Sequence, residues 1–378
     1  MPLNPSAMTE ATRLTREGKL AEATDLLRSV LGGTAPPPPA PPPPAPPRPA
    51  AAGRPAPRIL DVDPETGEVA APPSSRLRGL LDGLAAKLPG GLPGAGRSTP
   101  PEPLPPGARF LSLSHGGAAG TRGYRLYVPA RPAAAPALLV MLHGCTQSPE
   151  DFAAGTRMNA LAEQHGFLVA YPGQTQAANA QKCWNWFNAA DQNRDSGEPA
   201  LIAGIARDVL RDYGADPKRV FVAGLSAGGA AAAILGQRYP DLFSGVGVHS
   251  GLACGAARDM PGAFAAMRQG AAGQPGRPVP TIVFHADRDS TVHPRNAAQV
   301  AAQAAAPGLR ATTTQGQVPG GHAFTRTVHA DAAGRVLQEQ WLVHGGGHAW
   351  AGGSNAGSYT DAKGPDASAE MVRFFLAL

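Results

Sequence analysis

The spacing of apolar residues changes character three times along the chain. In residues 6–32, Leu14, Leu20, Ala23, Leu26, Leu27, Val30 and Leu31 recur at helical spacing on either side of "EGK", which predicts a hairpin of two short helices. From Thr34 to Arg58 the pattern disappears into "TAPPPPAPPPPAPPRPAAAGRPAPR". Proline lacks the backbone donor that regular structure needs, so this stretch reads as a stiff polyproline spacer. A short amphipathic helix is expected over Ser74–Leu88, started by serine and stopped by "PGG", before a second proline-rich stretch that runs to Gly107.

Beyond that point strand and helix patterns alternate. "ARFLSLSHG" and "GYRLYVPA" predict an opening β-hairpin. "ALLVMLHG", "GFLVAYPG", "RVFVAGLS", "SGVGVHSG", "PTIVFHAD" and "LQEQWLVHG" follow, and the first two are unbroken apolar runs of the kind that suits strands covered on both faces. Helical stretches fall between and after them, at Thr156–His165, Ala200–Asp212, Ala227–Arg238, Arg295–Ala306 and Ala367–Leu378. This order predicts an α/β domain with a mostly parallel central sheet and helices on both faces. The expected organisation is a helical hairpin over 1–33, a proline-rich linker over 34–107 and one α/β domain over 108–378.

Composition narrows the function. Charged residues are 16% of the chain and the net charge is +5, with no Lys/Arg block interleaved with aromatics, so nucleic acid is not the expected partner. No apolar run approaches the ~20 residues of a membrane span. The start, "MPLNPSAMTEATRLTREGK", lacks the basic-then-apolar order of a secretory signal, so the chain reads as cytoplasmic. Three cysteines, Cys145, Cys183 and Cys254, show no zinc spacing and read first as buried thiols.

The chemistry is carried by four places. Gly224-Leu225-Ser226-Ala227-Gly228 lies between a strand and an alanine-rich helix, the setting of a nucleophile elbow, with Ser226 as nucleophile. An oxyanion needs two aimed donors. The N–H of Ala227 supplies one, and the N–H of Cys145, in the "HGC" loop after an early strand, is the candidate for the other. His143 either braces that loop or is a satisfied interior histidine. In "HADRDSTVHP" the spacing from Ala286 to Val292 selects Asp289 as the acid, with Asp287 as the alternative. The base must follow it, and His293, His322, His329, His344 and His348 qualify by order alone. His348 is favoured because a strand runs directly into its glycine-rich loop, "HGGGHAWAGG"; His322, in the near-copy "GGHAF", leads into a hairpin turning at "DAAG". Such a triad would make a serine acyl hydrolase that needs no cofactor and no metal.

"LHGCTQ", "KCWNWF", "GLSAGG", "HADRDSTVHP" and "GGGHAWAGG…SYTD…GPDA", in that order across 108–378, resemble the polyhydroxybutyrate depolymerase family of esterases, which includes feruloyl and acetylxylan esterases. The resemblance implies an α/β-hydrolase fold, the triad Ser226, Asp289 and His348, and hydroxyalkanoate esters or polyester as substrate. It further implies that Trp184 and Trp186 line the substrate cleft with Trp350 beside the catalytic histidine. The alternative for the first two is core packing. Family members are often exported, and in such a compartment Cys145 and Cys183 would bridge the oxyanion loop to the aromatic loop. In a different reading, in which catalysis is secondary, the N-terminal hairpin and proline arm tether the chain to a polymer granule or a protein partner.

Overall fold

A computed structural model describes residues 104–378. The expected hairpin over 1–33 and the helix over Ser74–Leu88 lie outside the described residues, as does nearly all of the expected linker.

The described part is built on a ten-stranded sheet. Its strands are β1 (Arg109–Gly117), β2 (Gly120–Val128), β3 (Leu138–Leu142), β4 (Leu168–Pro172), β5 (Val220–Leu225), β6 (Gly245–His249), β7 (Thr281–Ala286), β8 (Arg310–Gln317), β9 (Ala323–Ala330) and β10 (Val336–Val343). They lie in the order β1-β2-β4-β3-β5-β6-β7-β10-β9-β8. The six central strands β4, β3, β5, β6, β7 and β10 are parallel throughout. The predicted hairpin β1–β2 joins antiparallel at one edge, and β9 and β8 extend the other edge antiparallel. This is an α/β-hydrolase fold. A two-stranded ribbon of β11 (Trp350–Ala351) and β12 (Thr360–Asp361) stands apart from the main sheet.

The unbroken apolar strands divide their side chains between two cores. In β3, Leu138, Val140 and Leu142 face one way and Leu139 and Met141 the other. In β5, Val220 and Val222 separate from Phe221 and Ala223 in the same manner. The period-2 alternation of a strand makes every side chain apolar when both faces are covered. One face is covered mainly by α3 (Gly197–Tyr213) and α4 (Ala227–Arg238), the other by α1 (Pro149–Thr156), α2 (Met158–His165) and α7 (Ala367–Leu376). Helices α5 (Met260–Gln269) and α6 (Arg295–Ala304) complete the first face.

Three elements differ from the sequence reading. The expected helix at Thr156–His165 is the second of a pair, because Arg157 takes a left-handed φ of 54° and separates α1 from α2. Helix α5 was not expected, although Asp259 caps it by accepting from the N–H of Gly262 and Pro261 lies in its first turn. Strand β8, "RATTTQGQ", is exposed along almost its whole length. It has no buried face and hence no apolar alternation to read.

Candidate active site

Parallel strands send all their C-terminal ends to one edge of the sheet, and each candidate group leaves a strand at that edge. Ser226 follows β5, Cys145 lies in the loop after β3, Asp289 in the loop after β7 and His348 in the loop after β10.

Ser226 has φ 57° and ψ −119°, a conformation that L-residues rarely adopt. The sharp turn is possible because the residues two positions away on either side, Gly224 and Gly228, have no side chains. A Cβ on Gly228 would collide with the carbonyls of Leu142 and His143, and one on Gly224 with the Gly228 carbonyl. The strained serine is held by its own N–H, which donates to the carbonyl of His249 at 2.9 Å. Such strain costs roughly 1–3 kcal/mol and persists only where the surroundings impose it.

The N–H groups of Ala227 and Cys145 find no hydrogen-bond acceptor among the described residues. Ala227 is also the first residue of α4, where the helix leaves its N–H groups unpaired. The Cys145 loop is braced from several sides. The N–H of Gly144 donates to Gln147 Oε1 at 2.8 Å, and Gln147 Nε2 donates in turn to Asp151 and to the carbonyl of Ser358. His143 Nδ1–H donates to the Gly144 carbonyl at 2.7 Å, and Nε2 accepts from the N–H of Gln174 at 3.1 Å. That pattern requires the neutral ring, and burial pushes its pKa down to about 4. His143 is therefore both buried and a brace.

Cys145 is joined to Cys183 by a disulfide with a Cα–Cα distance of 4.2 Å. The reading of all three cysteines as free thiols is corrected for these two; Cys254 alone of the three is free, and it is buried. The bridge ties the loop after β3 to the segment that carries the two tryptophans.

Those tryptophans do not offer their faces to a cleft. Trp184 is 0% exposed, Trp350 1% and Trp186 5%. Trp184 Nε1 donates to the carbonyl of His143 at 3.0 Å, and Trp350 Nε1 to Ser368 Oγ at 3.0 Å. Trp350 stacks on His249 with ring centroids 5.0 Å apart. This burial favours core packing, the alternative for Trp184 and Trp186, in which a buried indole finds a partner for its N–H. Below Trp184 and Trp186, Glu198 accepts from the N–H and side chain of Asn185 and from Gln174, while Arg122 donates to Gln174 and to the Gly173 carbonyl. Burial raises the Glu198 carboxyl despite these bonds.

Asp289 and His348 are brought together, with His348 Nδ1 2.7 Å from Asp289 Oδ2. The other carboxylate oxygen accepts from the N–H groups of Thr291 and Val292 at 2.9 and 2.8 Å. Burial on its own would raise this carboxyl, but bonds from His285 and His348 and the Val292 N–H outweigh it and hold the pKa far below the usual carboxylate range. Asp287, the alternative acid, instead accepts from His344 Nδ1 at 3.0 Å and from the N–H of Gly345 at 2.7 Å. It pins the start of the His348 loop. His322 pairs with Asp361 at 2.8 Å, on the β12 ribbon, and enters β9 as expected.

Two histidines near the site were not read from the sequence. His249 ends β6 and His285 lies near the end of β7, both buried. Burial, then the neighbouring His285 and His348, push His249 down to about 3. The available signal was a histidine closing an apolar strand just before a site loop, in "GVGVHSG" and "TIVFHAD". Among the described residues no group of three or more His, Cys, Asp or Glu side chains is placed to hold a metal ion.

The chain is similar to known proteins in sequence and in fold. Residues 122–314, just over half of the chain, match the family model described as Esterase PHB depolymerase; the match includes Ser226 and Asp289 and stops before His348. Poly(3-hydroxyalkanoate) depolymerase C of Paucimonas lemoignei is 34% identical over 233 residues, 57% of this chain and 55% of the relative. The chain thus spans about half the length of that relative. Feruloyl esterase B of Neurospora crassa is 29% identical over 231 residues, 55% of this chain and 77% of the relative. Among solved structures, an acetyl xylan esterase from Aspergillus awamori superposes with a TM-score of 0.55 at 20% identity, over 71% of this chain and all of the other, a likeness of fold. On the family match and the strand-elbow-helix that lies inside it, the chain belongs to the esterase PHB depolymerase family.

Proposed function

We propose that the chain is a serine carboxylic-ester hydrolase with Ser226 as nucleophile, His348 as general base and Asp289 as the acid that orients the base. The observation that carries this reading is the 2.7 Å contact between His348 Nδ1 and Asp289 Oδ2, on the sheet edge where Ser226 leaves β5. With Nδ1–H donating to the carboxylate, Nε2 is left with a lone pair for the serine proton. His348 Nε2 takes that proton as Ser226 Oγ attacks the acyl carbon. The carbonyl π electrons move to oxygen, and the N–H groups of Ala227 and Cys145 receive the oxyanion. When the tetrahedral species collapses, the ester C–O bond breaks and His348 returns the proton to the leaving alcohol. Water, activated by the same ring, then hydrolyses the acyl-enzyme and restores Ser226.

The substrate we propose is a short hydroxyalkanoate ester, as poly- or oligo-3-hydroxybutyrate, in line with the named activity of the Paucimonas relative. A feruloyl or acetylxylan ester is the second reading, favoured by the larger share of feruloyl esterase B that the chain spans. Purified protein assayed on 3-hydroxybutyrate oligomers and on methyl ferulate separates the two. Faster turnover of the oligomer is expected, and the reverse order overturns the first reading. Ser226→Ala tests the mechanism itself: a folded variant should lose p-nitrophenyl butyrate turnover, and retained turnover rejects Ser226 as nucleophile.

A further inference from the structure

His285 lies four residues before Asp289, with its side chain sealed in the interior. Its Nε2 is 2.8 Å from the Val292 carbonyl and 3.2 Å from Asp289 Oδ2. A carbonyl and a carboxylate both accept, so Nε2 carries the proton, which it donates in a hydrogen bond to the Val292 carbonyl while lying against the Asp289 carboxylate. Its Nδ1 is buried with no hydrogen-bond partner. A second proton there would put an unpartnered N–H in the interior, at the full cost of its desolvation. The ring is therefore the neutral Nε2–H tautomer, with a bare lone pair at Nδ1.

We propose that His285 is a positioning residue for ester hydrolysis, its Nε2–H sharing Asp289 Oδ2 with the Nδ1–H of His348 and so governing how strongly the carboxylate draws on that ring. The inference rests on the Ser226–His348–Asp289 reading. The carboxylate is then fully engaged: Oδ1 by Thr291 and Val292, Oδ2 by two histidines from different strand ends. Each donor draws electron density from the carboxylate and weakens its pull on the others. Without the Nε2–H of His285, Oδ2 becomes a stronger acceptor for His348, and the protonated form of His348 is favoured. The base is then occupied by a proton to a higher pH.

Other charged or titratable groups do not replace that contact. His249, from β6, is buried and neutral, with Nε2 accepting from the Ala351 N–H at 2.9 Å. Asp287, from the same loop as Asp289, is turned to His344 and Gly345. Another histidine–aspartate contact, His322 with Asp361, belongs to β12.

The test is the pH profile of kcat/KM on p-nitrophenyl butyrate, measured with the full chain. In His285→Phe the ring shape stays and the N–H is lost. Its acidic limb is expected to move up by about half a pH unit or more, with a plateau kcat/KM about tenfold lower. His285→Gln places an amide N–H at a similar reach and should return the limb to its original position. An unshifted limb in His285→Phe overturns the proposal. If that variant does not fold, His285→Asn stands in, because its shorter amide stops before Asp289; limbs that coincide for Asn and Gln overturn it equally. Ser226→Ala keeps the two levels apart. Turnover retained in Ser226→Ala rejects the underlying mechanism, whereas a dead Ser226→Ala beside an unshifted His285→Phe rejects only the role of His285.

Discussion

Asp289 Oδ2 accepts from His348 Nδ1 at 2.7 Å, while Asp287, two residues earlier on the same loop, is spent on His344 and the N–H of Gly345. One loop thus carries two carboxylates with separate duties, one orienting the ring and the other pinning the backbone that delivers it. Asp289→Asn replaces an acceptor by a group that also presents N–H, which favours the wrong tautomer of His348. We expect kcat to fall by about 10³–10⁴-fold. Asp287→Asn keeps an acceptor for the Gly345 N–H and should cost less than about tenfold. Steady-state assays of the two variants check the ranking, and equal losses would reject the division of roles.

His348 and His322 stand in similar letters, "GGHAW" and "GGHAF", and each ring touches an aspartate. Contact with a carboxylate alone therefore does not identify the base. His348→Ala should remove ester turnover, and His322→Ala should retain most of it, within about fivefold. The measurement is initial rate on p-nitrophenyl butyrate for folded variants; a loss at His322 equal to that at His348 would refute the assignment.

Much of this was legible because strands buried on both faces are unbroken apolar runs, and such runs mark where site loops begin. "VFVAGLSAGG" shows the elbow because the turn tolerates no side chain at Gly224 or Gly228. The preference for His348 over His322 came from the same source, since only one of the two follows a core strand. The sequence leaves cleft and core open for the tryptophans because a polar-flanked "CWNWF" carries no sign of which way its rings turn; that depends on the carbonyl of His143, forty-one residues away, which takes the Trp184 N–H. The contact of His285 with Asp289 was likewise invisible, since it is made by geometry at a strand end. Helix α1 had a readable start in "SPEDF", where Ser148 accepts from the N–H of Asp151.

The burial of Trp184 has a kinetic consequence. Trp184→Phe keeps most of the packing and removes the N–H, leaving the His143 carbonyl unpaired beside the Cys145 loop. A lost partner of this kind costs roughly 1–3 kcal/mol. The oxyanion donor is expected to lose alignment, so kcat should fall with KM nearly unchanged. A cleft-lining tryptophan would give the opposite split, with KM raised and kcat kept. Michaelis parameters on one soluble ester decide between them.

The disulfide holds the same loop from the other side. It closes a sequence separation of 38 residues, for which the chain-entropy relation gives a stabilisation of about 4 kcal/mol. Cys145→Ala/Cys183→Ala should therefore lower the thermal midpoint by several degrees. The Cys145 N–H belongs to the backbone and survives the substitution. Activity at a temperature where the variant is still folded should thus fall far less than in Ser226→Ala. A double variant as inactive as Ser226→Ala would show that the bridge itself sets the donor.

Acid sensitivity should begin with two buried histidines rather than with carboxylates. Burial lowers His143 to about 4 and His249 to about 3 from an ordinary value of 6.5. Below about pH 6.5 the unfolded chain takes up these two protons and the folded chain does not, so the unfolded state is favoured. The stability they contribute is complete above about pH 6.5 and declines as the pH falls toward 4 and then 3. Each histidine adds up to about 1.4 kcal/mol per pH unit to that slope. Glu198, raised by burial, acts in the opposite sense, and Asp289, strongly lowered, acts only below the ordinary carboxylate range near 4. The window from 6.5 to 4.5 therefore isolates the histidines from Asp289. His249→Gln removes one of the two titrations while leaving an acceptor for the Ala351 N–H. Urea unfolding at pH 7.5, 5.5 and 4.5 should show a shallower fall in stability for the variant than for the parent. Parallel lines would mean that His249 is protonated in the folded chain, against the burial that surrounds it.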